Sequence, residues 1–272
     1  MTPELEQIAV LLRAAAREEI LPRLGRTETH RKTDGSLVTP ADLAVQARLA
    51  AALAQDFPER SLLGEEMEPE EQRRILADSP NGVWVLDPLD GTSNFVNGFP
   101  GFSISLALIE GGQVSLGAVL DPVRDQCFAA ARGAGAFLDG KPIRSASRSG
   151  TLGDCLAMID VKRLPAAALP MLFRPGGFGS QRSLGSVALE WCWLACGQVQ
   201  LYLHGSQRLW DYAAGRLIAE EAGAAALHIG RWNGEPTQGI GLAPQHAIGA
   251  ADTRLMQSWL DFLRPLRQDA QE

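Results

Sequence analysis

The densest chemistry in the sequence lies between Trp84 and Phe95, reading WVLDPLDGTSNF. An apolar run ends in Asp87, turns through Pro88, and presents Asp90 three residues later, ahead of Gly91 and Thr92. Carboxylates at this spacing on a tight turn can converge on one point. Their oxygens are hard ligands of the kind Mg²⁺ prefers, and the turn adds backbone carbonyls such as that of Leu89. Gly91 lets the backbone approach a ligand closely. Its N–H and that of Thr92 could open a helix and face an anion. An ordinary Asp-Pro and Asp-Gly turn would carry the same residues.

Three further acidic sites stand at the ends of elements. Glu65-Glu66 follows the apolar run 61–64; adjacent carboxylates there repel unless a cation sits between them, although Glu68, Glu70 and Glu71 also fit a solvated acidic loop. Asp42 is the third helical position after Thr39-Pro40, where an acid also complements the helix dipole. Asp211 sits in Trp210-Asp211-Tyr212, near a helix start followed by Ala213, Ala214 and Gly215, and first-turn capping would account for it too. Taken together, four carboxylate sites at element ends can meet at a shared rim. Acids gathered without matching bases require cations, and their hard oxygens point to Mg²⁺ or a similar ion.

The elements that must position these acids are legible in outline. Glu4 to Leu21 reads as an amphipathic helix after the Thr2-Pro3 start signal, and Thr39-Pro40 repeats that signal before a helix over 41–54. Asp34-Gly35 marks a turn between them. Short apolar runs at 61–64 and 83–86 read as strands. Residues 102–109 and 113–120 form a hairpin about Glu110-Gly111-Gly112, extended by 125–131 and 135–138 into an antiparallel meander. The second half changes character. Strands at 155–161, 199–203, 224–229 and 246–250 alternate with helices at 186–195, 210–221 and 253–266, a pattern of an α/β layer. The small polar stretch 145–150 is the expected boundary between an α+β half (1–145), holding most of the acids, and an α/β half (146–272) that completes the site.

The chain has 272 residues, 25 Lys+Arg against 32 Asp+Glu, and a formal charge of −7. Residues 1–150 hold 21 acids and 15 bases, residues 151–272 hold 11 and 10, so the excess lies where the metal-type motifs lie. This balance excludes a nucleic-acid coat and an anionic membrane surface as partners, which need surplus cations. No stretch approaches the roughly 20 apolar residues of a membrane helix, and the acidic start is unlike a signal peptide. Cys127, Cys155, Cys192 and Cys196 read as buried free thiols, pointing to a reducing, cytoplasmic setting.

Glu65-Glu66, the run from Asp87 to Thr92, and Trp210-Asp211 through Gly215, in this order, resemble the inositol monophosphatase family of Mg²⁺-dependent, lithium-sensitive phosphatases. The resemblance also takes in Lys32, Thr39 to Asp42 and the run from Arg182 to Ala188. It implies a layered αβαβα sandwich, the sugar phosphatase fold, combining α+β and α/β halves. It implies two or three Mg²⁺ ions held by Glu65, Glu66, Asp87, the Leu89 carbonyl, Asp90 and Asp211. Asp42 and Thr92 would orient and deprotonate the attacking water, with Glu65 also in the catalytic set, and Gly91 and Thr92 would hold phosphate oxygens. Phosphoryl transfer asks chiefly for positioning and charge neutralisation, so no Ser or Cys nucleophile is needed. A homodimer is implied by the resemblance alone.

The substrate implied is a small phosphate ester such as inositol monophosphate. The alternatives within the family are a 3′(2′),5′-bisphosphate nucleotide and sugar or histidinol phosphates. The resemblance places Asp90, Gly185, Ser186, Val187, His204 and Asp211 against the substrate. A Glu is expected seven residues before Asp211 in an inositol phosphatase, and His204 stands there instead. It either meets a substrate hydroxyl or is a strand-end residue with no substrate contact, and Arg208 nearby could meet a second anionic group. Two other classes remain for comparison: a non-catalytic regulatory or binding protein on the same scaffold, and a metal-dependent nuclease. The acidity and the lack of a basic, aromatic-interleaved stripe disfavour the nuclease.

Overall fold

The computed structural model describes residues 1–272 except 33, 34, 36, 147–149, 238 and 270–272, so Asp34 of the expected turn and part of the expected boundary lie outside the described residues. Two large sheets alternate with three helical layers, and a two-stranded sheet stands beside them. Helix α1 (Pro3–Ala15) begins where Thr2 Oγ1 accepts from the Leu5 N–H at 3.3 Å, with Pro at its first turn. It continues through a widened turn (Ala16–Ile20) and a tight one (Leu21–Arg23), extending the sequence expectation. The strands β1 (His30–Arg31) and β2 (Leu37–Val38) pair antiparallel ahead of α2 (Pro40–Asp56).

The larger sheet comprises β3 (Ser61–Gly64), β4 (Val83–Asp90), β5 (Ser103–Glu110), β6 (Gln113–Asp121), β7 (Gln126–Ala131), β8 (Gly135–Leu138) and β9 (Lys141–Ile143) in sequential order. Only the β3–β4 pair in this sheet is parallel. Helix α3 (Pro69–Ala77) makes that crossover. The Glu-rich stretch that also fits a solvated loop opens a helix instead, with Pro69 in its first turn and Gln72 buried on it. Side chains alternate across the sheet as a pleat requires. Ile104, Leu106 and Leu108 pack with α1 and α2, while Ala107 and Ile109 belong to the core on the other side.

Helix α4 (Thr92–Val96) follows β4, and the second sheet is built from β10 (Leu156–Asp160), β11 (Ser180–Arg182), β12 (Leu201–Gln207), β13 (Ala225–Ile229) and β14 (Gln245–Ala250), in the order β11-β10-β12-β14-β13, with α5 (Ala168–Leu172) between β10 and β11. The first three strands are parallel and the last two join antiparallel. Helices α6 (Val187–Ala195) and α7 (Leu209–Glu221) lie between the sheets, and α8 (Thr253–Asp269) covers the far face with α5. The result is the αβαβα layering. The small residues after Asp211 now have a packing reason: a Cβ on Gly215 would stand 2.8 Å from Trp191 Cβ and 3.0 Å from the Ala188 carbonyl, so α6 and α7 touch nearly backbone to backbone.

Cys127, Cys155 and Cys192 are buried free thiols and Cys196 is half-buried. Burial pushes the Cys127 thiol up to about 12 and keeps it unreactive. Among the described residues no helix is long and apolar enough to cross a membrane.

Candidate active site

Strand β4 carries the central acids. It does not stop at Asp87: the strand runs on to Asp90, with a register shift against β5 between those two residues. The bulge re-aims the chain, and both carboxylates end up buried. Asp87 Oδ1 accepts from the Leu89 N–H at 3.0 Å. Asp90 Oδ2 accepts from Ser186 Oγ at 2.6 Å and from the Ala188 N–H at 2.8 Å. Gly91 then turns with φ 92° as the cap of α4. A Cβ there would stand 2.7 Å from the Gly101 carbonyl, so glycine is required for both conformation and space.

Asp42 enters from the start of α2. Its Oδ2 accepts from the Thr39 N–H at 2.8 Å and from Thr39 Oγ1 at 2.6 Å, while Oδ1 lies 3.5 Å from Thr92 Oγ1. The Thr92 hydroxyl donates to the Leu89 carbonyl at 3.0 Å. Thus Asp42, Thr92 and Leu89, from three separate elements, are brought together. Glu65 and Glu66 follow β3 and share Lys32, whose Nζ lies 3.1 Å from Glu65 Oε1 and 2.7 Å from Glu66 Oε1. Asp211 arrives at the start of α7, its Oδ2 accepting from the Arg208 N–H at 2.8 Å.

The electrostatics define the site. Burial, then the charges of Glu65, Asp90 and Asp211, push the Asp87 carboxyl well above the usual range. Burial, Asp90 and Glu65 do the same to Asp211. Burial lifts Asp90 to about 6 against the opposing bonds from Ser186 and Ala188. Burial and Glu65 lift Asp42 to about 6 despite the bonds from Thr39, and Glu66 rises to about 7 despite Lys32. Lys32 is disfavoured by burial, yet the two glutamates outweigh this and hold it up to about 12.

Acids of four segments therefore repel one another in a space from which water is largely removed. Among the described residues no three His, Cys, Asp or Glu side chains close around one point on their own. The structure brings the carboxylates into one another's field, each tied back by a hydrogen bond. The donor set of buried carboxylate oxygens with the Leu89 carbonyl fits a hard divalent cation, which would relieve the repulsion.

The expected substrate residues divide. Gly185 (φ 81°) lies on the turn before α6, and its N–H and that of Leu184 donate to Glu190 Oε1 at 3.1 and 3.0 Å. Asn94 Nδ2 holds the same turn through the Leu184 carbonyl at 2.5 Å and also reaches the Gly101 carbonyl at 2.6 Å. Ser186 is fully buried; its hydroxyl goes to Asp90 and contacts Ser103 Oγ at 3.1 Å. Val187, also buried, opens α6. His204 is 3 % exposed and faces Asp160 on the neighbouring strand. Arg208 is exposed and its guanidinium points to the Leu242 carbonyl at 3.5 Å. Sequence reasoning missed Glu190, Asn94 and Asp160. Glu190 and Asp160 each interrupt an apolar run with an acid, which was the available signal.

The sequence matches the model of the inositol monophosphatase family over residues 2–259. It is 37% identical over 230 residues to Inositol monophosphatase 1 of Solanum lycopersicum, covering 80% of this chain and 82% of that protein. It is 33% identical over 225 residues to the Nus factor SuhB of Xylella fastidiosa, covering 79% of each. Its fold superposes on the IMPase of Thermotoga maritima with a TM-score of 0.81 at 26% identity, covering 97% of this chain and 100% of the other.

Proposed function

The chain belongs to the inositol monophosphatase family, whose members are phosphoric monoester hydrolases, and from that premise we propose that it hydrolyses a small phosphorylated polyol with the help of bound Mg²⁺. The observation that carries the reading is that Asp87, Asp90 and Asp211, all buried, lie in one another's electrostatic field and in that of Glu65, and that Lys32 and the hydrogen bonds offset this repulsion only in part. Glu65, Asp87, Asp90, Asp211 and the Leu89 carbonyl would hold the ions, with Glu66 beside them. Bound Mg²⁺ supplies positive charge to the transferring phosphoryl group and acidifies the attacking water.

The chain's own residues do the rest. Thr92 orients the water through its hydroxyl, and Asp42 takes the proton relayed by Thr92 across the 3.5 Å separation. A carboxyl lifted to about 6 is a better base than an ordinary aspartate and stays ionised at neutral pH. The N–H groups of Gly91 and Thr92 hold phosphate oxygens at the start of α4. Ser186 acts through Asp90, and Glu190 with Asn94 fixes the turn that carries Gly185.

Phosphate release from a panel of esters in Mg²⁺ tests the reading. Inositol monophosphate is expected to be cleaved, and an adenosine 3′,5′-bisphosphate cleaved in its place would favour the nucleotidase alternative. Hydrolysis of none of the esters would overturn the proposal. A second reading, a non-catalytic factor on this scaffold, is favoured by the name Nus factor SuhB, which specifies no hydrolytic reaction. The intact acidic set weighs against it. Homodimerisation and inhibition by lithium complete the proposal, and sedimentation and the same assay check them.

A further inference from the structure

Strands β10 and β12 run parallel, with Asp160 and His204 directly in register. Asp160 is the last residue of β10, and β12 leads straight into the turn that presents Asp211. In α/β sheets the carboxyl ends of parallel strands are where ligands bind. At this rim the side chains form a small closed circuit. His204 Nδ1 accepts from the Ser206 N–H at 3.2 Å, so the ring hydrogen sits on Nε2, which faces Asp160 Oδ2 at 3.2 Å. Both ring nitrogens are thus used within the protein.

Asp160 differs in this respect. Its Oδ1 accepts from the Lys162 N–H at 3.0 Å, and Oδ2 meets His204 and Arg163 Nε, the latter at 3.4 Å. A carboxylate offers about four acceptor positions, so Oδ1 retains one. The Asp160 side chain is 18 % exposed and that of Arg163 57 %. Burial works against the Asp160 charge, but His204, the Lys162 N–H and Arg163 outweigh it, so the carboxyl is ionised. Burial keeps His204 neutral. The geometry is tightly enforced: a Cβ on Gly205 would stand 1.8 Å from the Arg163 carbonyl.

We propose that Asp160 and Arg163 select the alcohol part of the substrate, the carboxylate accepting from one ring hydroxyl and the guanidinium donating to its neighbour. His204 is a positioning residue that holds Asp160 in place. This assignment rests on the phosphatase reading above. It names the substrate class as esters of a ring with adjacent hydroxyls, and it moves recognition from His204 to the next strand.

The test uses the full chain in saturating Mg²⁺ with two esters, inositol 1-phosphate and phenyl phosphate, the second having no hydroxyl for Asp160 to bind. Asp160→Asn and Arg163→Gln should each raise KM for inositol 1-phosphate, Asp160→Asn by at least about tenfold, with kcat changed far less. Kinetics on phenyl phosphate should be unchanged. His204→Ala should reproduce part of the Asp160→Asn effect, and His204→Gln, which keeps a donor, should restore it. Arg163 is exposed, so its variant reports even where Asp160→Asn folds poorly. Parallel losses on both esters, or an unchanged KM for inositol 1-phosphate in both variants, would overturn the inference while leaving the phosphatase reading intact. Wild-type protein cleaving phenyl phosphate but not inositol 1-phosphate would overturn it as well. Cleavage of neither would overturn both.

Discussion

Ser186→Ala isolates how the protein tunes one acid of its site. The Ser186 hydroxyl donates to Asp90 Oδ2 at 2.6 Å in a fully buried setting, alongside the Ala188 N–H at 2.8 Å. A hydrogen bond to a charged group contributes about 1.5–3 kcal/mol, and one pKa unit corresponds to about 1.4 kcal/mol. Loss of the hydroxyl should therefore raise Asp90 from about 6 by roughly one to two units. A cation arriving at pH 7 must then displace a proton from Asp90 first. Half-saturating Mg²⁺ in a phosphate-release assay should rise about two- to tenfold at pH 7 and return toward the wild-type value near pH 9. Ser186 also caps α6, so the variant should lose about 1 kcal/mol of stability in addition. Ser103→Ala is the control, since Ser103 touches the Ser186 hydroxyl at 3.1 Å and leaves the bond to Asp90 in place. If Ser186→Ala melts lower but keeps the wild-type Mg²⁺ dependence at every pH, Asp90 is not tuned as argued.

Asp42→Asn should keep the cap, because its amide oxygen can still accept from Thr39, while losing the relay to Thr92; the expected result is retained Mg²⁺ binding by calorimetry with a fall in kcat of about 10²–10⁴. Gly91→Ala forces φ 92° on a residue whose Cβ lies 2.7 Å from the Gly101 carbonyl, so thermal stability should drop by several degrees with most activity lost, as a melting curve and an assay will report. Glu190 has a folded pKa raised to about 7, first by burial, so the stability it contributes is complete below its unfolded value and lost as pH rises through about 7. Glu190→Gln should remove that slope, worth on the order of 3 kcal/mol at most; a stability difference between the two proteins that does not grow from pH 5 to pH 8 would contradict this.

What could be read from the sequence was whatever local chemistry decides. Thr2-Pro3 and Thr39-Pro40 mark helix starts because a hydroxyl cap and a proline act within one turn. Gly111-Gly112 marks the hairpin for the same reason. Helix α3 escaped because its acidic first turn, Glu68 to Glu71, also describes a solvated loop. The candidate site was legible as residue types at element ends, but not as geometry. The bond from Ser186 to Asp90 spans 96 residues, and the pairing of Asp160 with His204 depends on the register of two strands whose partnership no local pattern encodes. Glu190 was missed because a buried acid in an apolar helix is explained only by the N–H groups of Leu184 and Gly185 that reach it in the fold.

Mg²⁺ binding measured together with proton release tests whether these buried acids are built to hold divalent cations. Burial, then the charges of Glu65 and Asp90, hold Asp87 and Asp211 well above the usual carboxylate range, so an arriving cation must displace protons that the cluster holds more tightly than ordinary carboxylates do. Titration calorimetry in two buffers of different ionisation enthalpy should show Mg²⁺ binding with net proton release that grows as pH falls from 8 to 6. Asp87→Asn should abolish at least one binding event and nearly all hydrolysis with the fold retained. Full hydrolysis by protein stripped of divalent cations, or Mg²⁺ binding with no proton release at any pH, would show that the acids do not serve this purpose.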